Sequence, residues 1–391
     1  MLAAVFQVAG LDDREELLLL YRTVYGSGYA LPLGTDREVM AKEITSPNTC
    51  WLVARESGSG RLVASIVGNF APEERIGKLQ GLVIHPDARR GGLARQAVRE
   101  LSDRLLNGDQ PVDSVYATAR TNSTAPQRIC LQSGFRALGI FPNLRKAERH
   151  ETMVLLGRHR PGVLERRLPV DRVPAGLGGL VSALHQAVGS PDQPLPAVDD
   201  QRTPSDDRTA DARAGGGGAD RILELVGAPA FVRRRFTEVL PDPADRFYPF
   251  HAPNTLVAAA DGAFEVFAQV NRTDGYCALI GTTPGLAALG EDLDAMIDRL
   301  TGHGALHIET LLPLDRHADL QLLLSHGFLP AAAYPAMRRE GDGWRDYVVM
   351  ARTMKPLDFR GLAIDAAFRP FTEQYIELWK QRYLNTHGVF Q

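Results

Sequence analysis

The chain constrains itself most sharply across residues 82–106. Leu82-Val83-Ile84 is uniformly apolar, as a strand covered on both faces must be. A turn rich in arginine and glycine follows, His85-Pro86-Asp87-Ala88-Arg89-Arg90-Gly91-Gly92. Beyond it Ala94, Ala97, Val98, Leu101 and Leu105 trace one helical face, with Arg95, Gln96, Arg99, Asp103 and Arg104 on the other. The stretch is therefore a strand-to-helix crossing. Gly91 and Gly92 let a ligand approach the backbone without Cβ interference, and the first helical N–H groups after them lack intrahelical acceptors. Such a terminus suits a phosphate, and Arg89 and Arg90 add charge where a diphosphate would sit.

A chain of 391 residues is too long for one ordinary core, and fits two domains of roughly 150 to 170 residues plus a linker. Hydrophobic residues at 44% and charged residues at 23% place it among globular proteins. A net charge of −3 supplies no positive field to hold a polyanion, which argues against a nucleic-acid partner. Cys50, Cys130 and Cys277 are widely spaced and form no C-x-x-C pair, against a disulfide framework or a thiolate metal site. The N-terminal segment has no basic leader and no run of about 18 apolar residues occurs, so the expectation is a cytoplasmic protein without a membrane partner.

Residues 190–220 are nearly empty of large apolar side chains and rich in Pro, Asp, Arg and Gly, the composition of a flexible linker. Before it, Leu177, Leu180, Val181, Leu184 and Val188 keep helical spacing. The expected division is 1–160, a connecting segment 161–220, and 221–391. The first part reads as helices over 12–25 and 37–44, strands over 51–54, 62–68 and 78–84, a helix over 92–106, a strand over 112–118, a helix over 126–132 and a strand over 152–156. Strands that hairpin first and then alternate with helices imply a mixed α/β sheet. The flanking parts also share an order of features: strand, helix, Gly-Phe (Gly134, Gly327), a proline eight residues after the glycine (Pro142, Pro335), then an apolar strand ending in arginine. That concordance suggests duplicated domains.

Arg89-Arg90-Gly91-Gly92-Leu93-Ala94 fits the Q/R-x-x-G-x-G/A signature of the GNAT superfamily of N-acetyltransferases, and Asn122 with Ser133-Gly134-Phe135 resembles the family's next motif. The resemblance covers residues 5–158. It implies two tandem GNAT-like domains, each a mixed, mostly antiparallel sheet flanked by helices, with the second degenerate. It further implies a cleft between splayed strands carrying 82–84 and 115–118. Pantetheine would bond the backbone of Leu82, Val83 and Ile84, and the amides of Arg90, Gly91, Gly92, Leu93 and Ala94 would cradle the pyrophosphate of acetyl-CoA, with Arg89 and Asn122 beside it. Rate would then come mostly from proximity and orientation.

Two positions depart from the family pattern. Where members often place a Glu base and a Tyr acid, this chain has Gln80 and Cys130. Gln80 cannot act as a base, though its amide could orient water; Cys130 could protonate a thiolate, or be a small buried helix residue. His85, Glu73, Glu74 and Tyr29 are further candidates for base work. In the second half Thr282-Thr283-Pro284-Gly285 replaces the glycine-rich loop, so that half is expected to shape an acceptor pocket or a dimer surface. His303 and His307 read as satisfied or exposed residues near a strand, Arg233-Arg234-Arg235 as a solvated face, and Gly26-Ser27-Gly28-Tyr29 as a weak acceptor element. The C-terminal helix, with Phe371, Tyr375, Leu378 and Tyr383, either docks on its own domain or makes a homodimer contact. Together these features predict an acetyl-CoA-dependent N-acetyltransferase without a metal, acting on a small-molecule amine. The alternatives are a non-catalytic acyl-CoA-binding or scaffold protein, a longer acyl donor, or a protein amine acceptor.

Overall fold

Alternating apolar positions in the N-terminal half build a sheet with helices on both faces. The structure is a computed structural model that describes residues 4–26, 28–29, 31–109, 111–146, 150–189, 194–199 and 221–384. Its elements divide between two units: the first holds 1–119, 123–137 and 155–164, the second 120–122, 138–154 and 165–391. The boundary is thus several crossings of the chain. Most of the expected linker, and Ser27, lie outside the described residues.

The first unit begins with β1 (Ala4–Val8), α1 (Arg14–Tyr25), α2 (Arg37–Thr45), β2 (Thr49–Glu56), β3 (Leu62–Ala71) and β4 (Ile76–Ile84). It continues with α3 (Leu93–Asn107), β5 (Ser114–Arg120) and α4 (Ala125–Gln132), and the chain then runs through β6 (Arg136–Lys146) and β7 (His150–His159). The strand order is β1-β2-β3-β4-β5-β7-β6, antiparallel from β1 to β4 and parallel between β4 and β5. One face buries Leu17, Leu20, Tyr21 and Met40 against Trp51, Val53, Val67 and Val83. On the other face Leu101 and Leu105 of α3 lie over Gly68 and Gly77. At the lower edge Asp113, 4% exposed, bonds Arg75 twice at 2.9 Å and Arg160 at 3.0 Å.

The second unit adds the short strands β8 (Arg172–Val173) and β9 (Ala197–Val198) around α5 (Gly178–Val188). Then come β10 (Leu223–Val226), α6 (Pro229–Val239), β11 (Thr255–Ala259), β12 (Glu265–Asn271), β13 (Tyr276–Thr283), α7 (Asp292–Gly302) and β14 (His307–Pro313). The remainder is α8 (His317–Ser325), β15 (Leu329–Glu340), β16 (Gly343–Thr353) and α9 (Arg369–Tyr383). The order β10-β11-β12-β13-β14-β16-β15 repeats that of the first seven strands, with Gly139 of β6 pairing Ala332 of β15 inside this unit. Phe371 and Tyr375 are buried and Gln374 donates to the Pro330 carbonyl, so α9 docks on its own unit. His307, buried in β14, bonds Glu309 and the Pro142 carbonyl. Burial alone would raise the Glu309 carboxyl, yet its bonds from His307 and Tyr276 and the imidazole charge hold it below the usual value.

Several strands run where the sequence predicts none, and three of them show why. β1 is a five-residue edge with Val5 and Val8 exposed, too short for a clear alternation. β6 carries Gly139 and Pro142, which read as turn residues, and β10 has four residues. Among the described residues no helix is long and apolar enough to cross a membrane. Asp113→Ala is expected to lower unfolding stability by about 2 to 3 kcal/mol, because two arginines lose a shared buried carboxylate. Urea unfolding followed by circular dichroism measures it.

Candidate active site

The site begins where β4 and β5 part. They share a parallel ladder only from Ile76–Leu79 to Ser114–Ala117, so Gln80 is the first β4 residue beyond it. On the other side β3 shifts register, with Val67 opposite Gln80 but Ser65 opposite Val83. Gly81 and Leu82 thus form a bulge against Ile66. Gly81 has φ +65°, and a Cβ there would stand 2.9 Å from the Tyr21 hydroxyl. That hydroxyl donates to the Gly81 carbonyl at 2.6 Å; burial raises the Tyr21 pKa well above its ordinary value, keeping it a donor. Tyr25 donates to the Leu82 carbonyl at 3.2 Å, and Tyr29 packs on both rings, 4.9 and 4.7 Å away.

The bulge decides which backbone groups reach the open edge. His85 N–H bonds the Val63 carbonyl, and backbone direction alternates along the strand, so Val83 is spent on Ser65 of β3. Leu82 and Ile84 alone of the three expected backbone ligands face the side that β5 has left.

Past His85 a single turn, Pro86–Ala88, leads into Arg89 and Arg90, both exposed. Gly92 is left-handed at φ +79° and opens α3, whose first intrahelical bond runs from Gln96 N–H to the Gly92 carbonyl. The amides of Leu93, Ala94 and Arg95 precede that bond and are free of the helix ladder. Leu93 and Ala88 are buried against Ala54, Val63 and Ala64, pinning the terminus from below. Above it a Cβ on Gly92 would meet nothing within 4 Å, and the first turn holds no acidic residue. Asn122 follows β5 and is exposed.

Gln80 is tied into a chain that no sequence spacing announces. Its Nε2 donates to Asn69 Oδ1 at 2.5 Å; Asn69 Nδ2 donates to Glu43 Oε2 and to Thr49 Oγ1, both at 2.9 Å. Thr49 in turn donates to Glu43 at 3.2 Å. Lys78 stands opposite Asn69 in register, and burial lowers its pKa. His85 accepts the Asp87 N–H at 3.3 Å, while Glu73 and Glu74 lie in the turn before β4. Cys130 on α4 is 8% exposed, and burial pushes its thiol up to about 12. Passing a proton from it to a thiolate of ordinary pKa, about 8.5, runs uphill, so of the two roles open to Cys130 the structure favours the buried helix residue.

The model of the acetyltransferase (GNAT) family matches residues 15–135, the segment that holds α1, the bulged β4, the open loop and α4. This segment is a GNAT acetyltransferase domain. Solved structures similar to it include a GNAT-family acetyltransferase from Streptococcus pneumoniae, 19% identical over 40% of this chain and 99% of that one, TM-score 0.35. A spermidine/spermine N-acetyltransferase from Vibrio cholerae is 12% identical over 40% of this chain and 92% of its own, TM-score 0.35. No curated protein matches the chain.

Within the GNAT domain the thiols offer a direct check. Cys50 is half-buried and raised by burial, with Arg104 pulling the other way. At pH 8 a thiol-reactive probe is expected to label Cys50 slowly in the native protein, and Cys130 only after unfolding. Peptide mapping showing rapid native labelling of Cys130 would reverse that assignment.

Proposed function

We propose that the chain is an acetyl-CoA-dependent N-acetyltransferase that acetylates the amine of a small molecule. The observation that carries this reading is the continuous path from the unpaired edge of β4, at Leu82 and Ile84, to the open, acid-free start of α3 at Gly92. An edge of peptide groups that no neighbouring strand pairs, with the Leu82 carbonyl met only by the Tyr25 hydroxyl, suits the amides of pantetheine, and free helical amides suit a diphosphate. The acceptor nitrogen attacks the thioester carbonyl, a C–N bond forms, the C–S bond breaks, and the thiolate leaves. The nitrogen gives up one proton to water, and Gln80 offers that nitrogen a hydrogen bond without taking the proton. Catalysis then rests on holding the reactants in line more than on an acid–base pair.

In this reading the second unit is a duplicated GNAT-like domain that has lost the donor site. Its strand order repeats the first, but α7 opens with Asp292 and Asp294 in its first turn, which would repel a phosphate where α3 would attract one.

Isothermal titration is therefore expected to show one acetyl-CoA per chain, and Gly92→Asp is expected to weaken binding at least tenfold, through added negative charge and a strained φ. Two sites per chain, or an unchanged Kd in the variant, would contradict the reading. A thiol-release assay across an amine panel then separates enzyme from scaffold: binding without turnover favours the scaffold. Longer acyl-CoA donors and protein amines in the same assay set the substrate range.

A further inference from the structure

The Glu43–Asn69–Gln80 chain has a direction, and the direction follows from the chemistry of its first member. An ionised carboxylate only accepts hydrogen bonds. The end of Asn69 that faces Glu43, at 2.9 Å, is therefore its NH2, and the same group supplies the second proton to Thr49. Thr49 spends its own proton on Glu43. The Asn69 oxygen must then face Gln80, and Gln80 must answer with its NH2. Both amides, which could otherwise turn over freely, are fixed from α2 by a single charge.

We propose, on the reading above that this domain acetylates amines, that Glu43 and Asn69 are positioning residues which lock Gln80 with its oxygen as the group left to meet the acceptor. A locked carbonyl at the first residue beyond the β4–β5 ladder makes the site selective for N–H donors. A neutral or protonated amine gains a hydrogen bond at that oxygen, whereas an anionic group meets its lone pairs and finds only the one Gln80 N–H that Asn69 leaves over. The same lock accounts for a glutamine where a base would be expected: the oxygen orients the nitrogen lone pair toward the thioester and leaves the proton to water. Three elements share the work, since Glu43 lies on α2, Asn69 on β3 and Gln80 on β4.

Glu43→Gln removes the direction, because an amide at this position can present either end to Asn69. The double substitution E43Q/N69D restores it by moving the carboxylate one step along the chain. The new carboxylate on β3 then accepts from the new amide on α2, from Thr49 and from Gln80 alike, and Gln80 again shows its oxygen. The expected result for E43Q is an unchanged Kd for acetyl-CoA, a roughly tenfold fall in kcat/KM for the amine that sits mainly in KM, and faster exchange of the Gln80 side-chain NH2 protons by NMR. E43Q/N69D is expected to recover both the exchange and kcat/KM. Unchanged Gln80 exchange in E43Q overturns the lock, and altered exchange with unaltered kinetics overturns its part in choosing the acceptor. A wild-type protein that binds no acetyl-CoA overturns the acetyltransferase reading instead, and the exchange comparison still decides whether Glu43 holds Gln80.

Discussion

The parting of β4 from β5 after Leu79 is the constraint on which the first unit's chemistry depends. A parallel sheet normally satisfies every backbone group along its strands. Here one strand is bent away by a bulge at Gly81, tied down by Tyr21 and Tyr25 from α1, and left with peptide groups at Leu82 and Ile84 that its neighbour does not use. The same strand then feeds the left-handed glycine that opens α3. Edge, turn and helix start are consecutive consequences of one interrupted ladder, and burial of Leu93 and Ala88 fixes their mutual geometry.

Much of this was legible in the sequence because it is local. The apolar 82–84 run, the Arg-Arg-Gly-Gly turn and the amphipathic pattern that follows are contiguous, and each residue's role depends on near neighbours. The family match over 15–135 agrees with that reading. What the sequence hid is what depends on register. Val83 looks like Leu82 and Ile84 until the pairing with Ser65 shows which way its peptide groups point. Glu43, Thr49, Asn69 and Gln80 come from four elements, and of these only Gln80 stood out in the sequence, with nothing there to join it to the other three. Cys130 illustrates the converse: its place in the motif invited a chemical role, and its burial, which raises its thiol, depends on packing that no local spacing gives.

The second unit repeats the strand order of the first with different polar residues. Its strands keep the order of the first seven, yet the start of α7 is acidic where α3 is not, and one buried polar cluster forms around Glu309 with His307, Tyr248 and Tyr276. Sheet order is set by apolar faces and connections, which tolerate such exchanges. The polar residues are free to diverge beneath it.

The division of β6 and β7 bears on the chain's history. Residues 138–154 are continuous with the first unit's chain but fold with the second. A gene fragment ending at the linker would encode strands whose packing partners lie downstream, and one starting there would lack the segment that pairs with β15. With residues 138–154 placed in the second unit, neither half of the chain can be cut away at the linker without taking strands from the other.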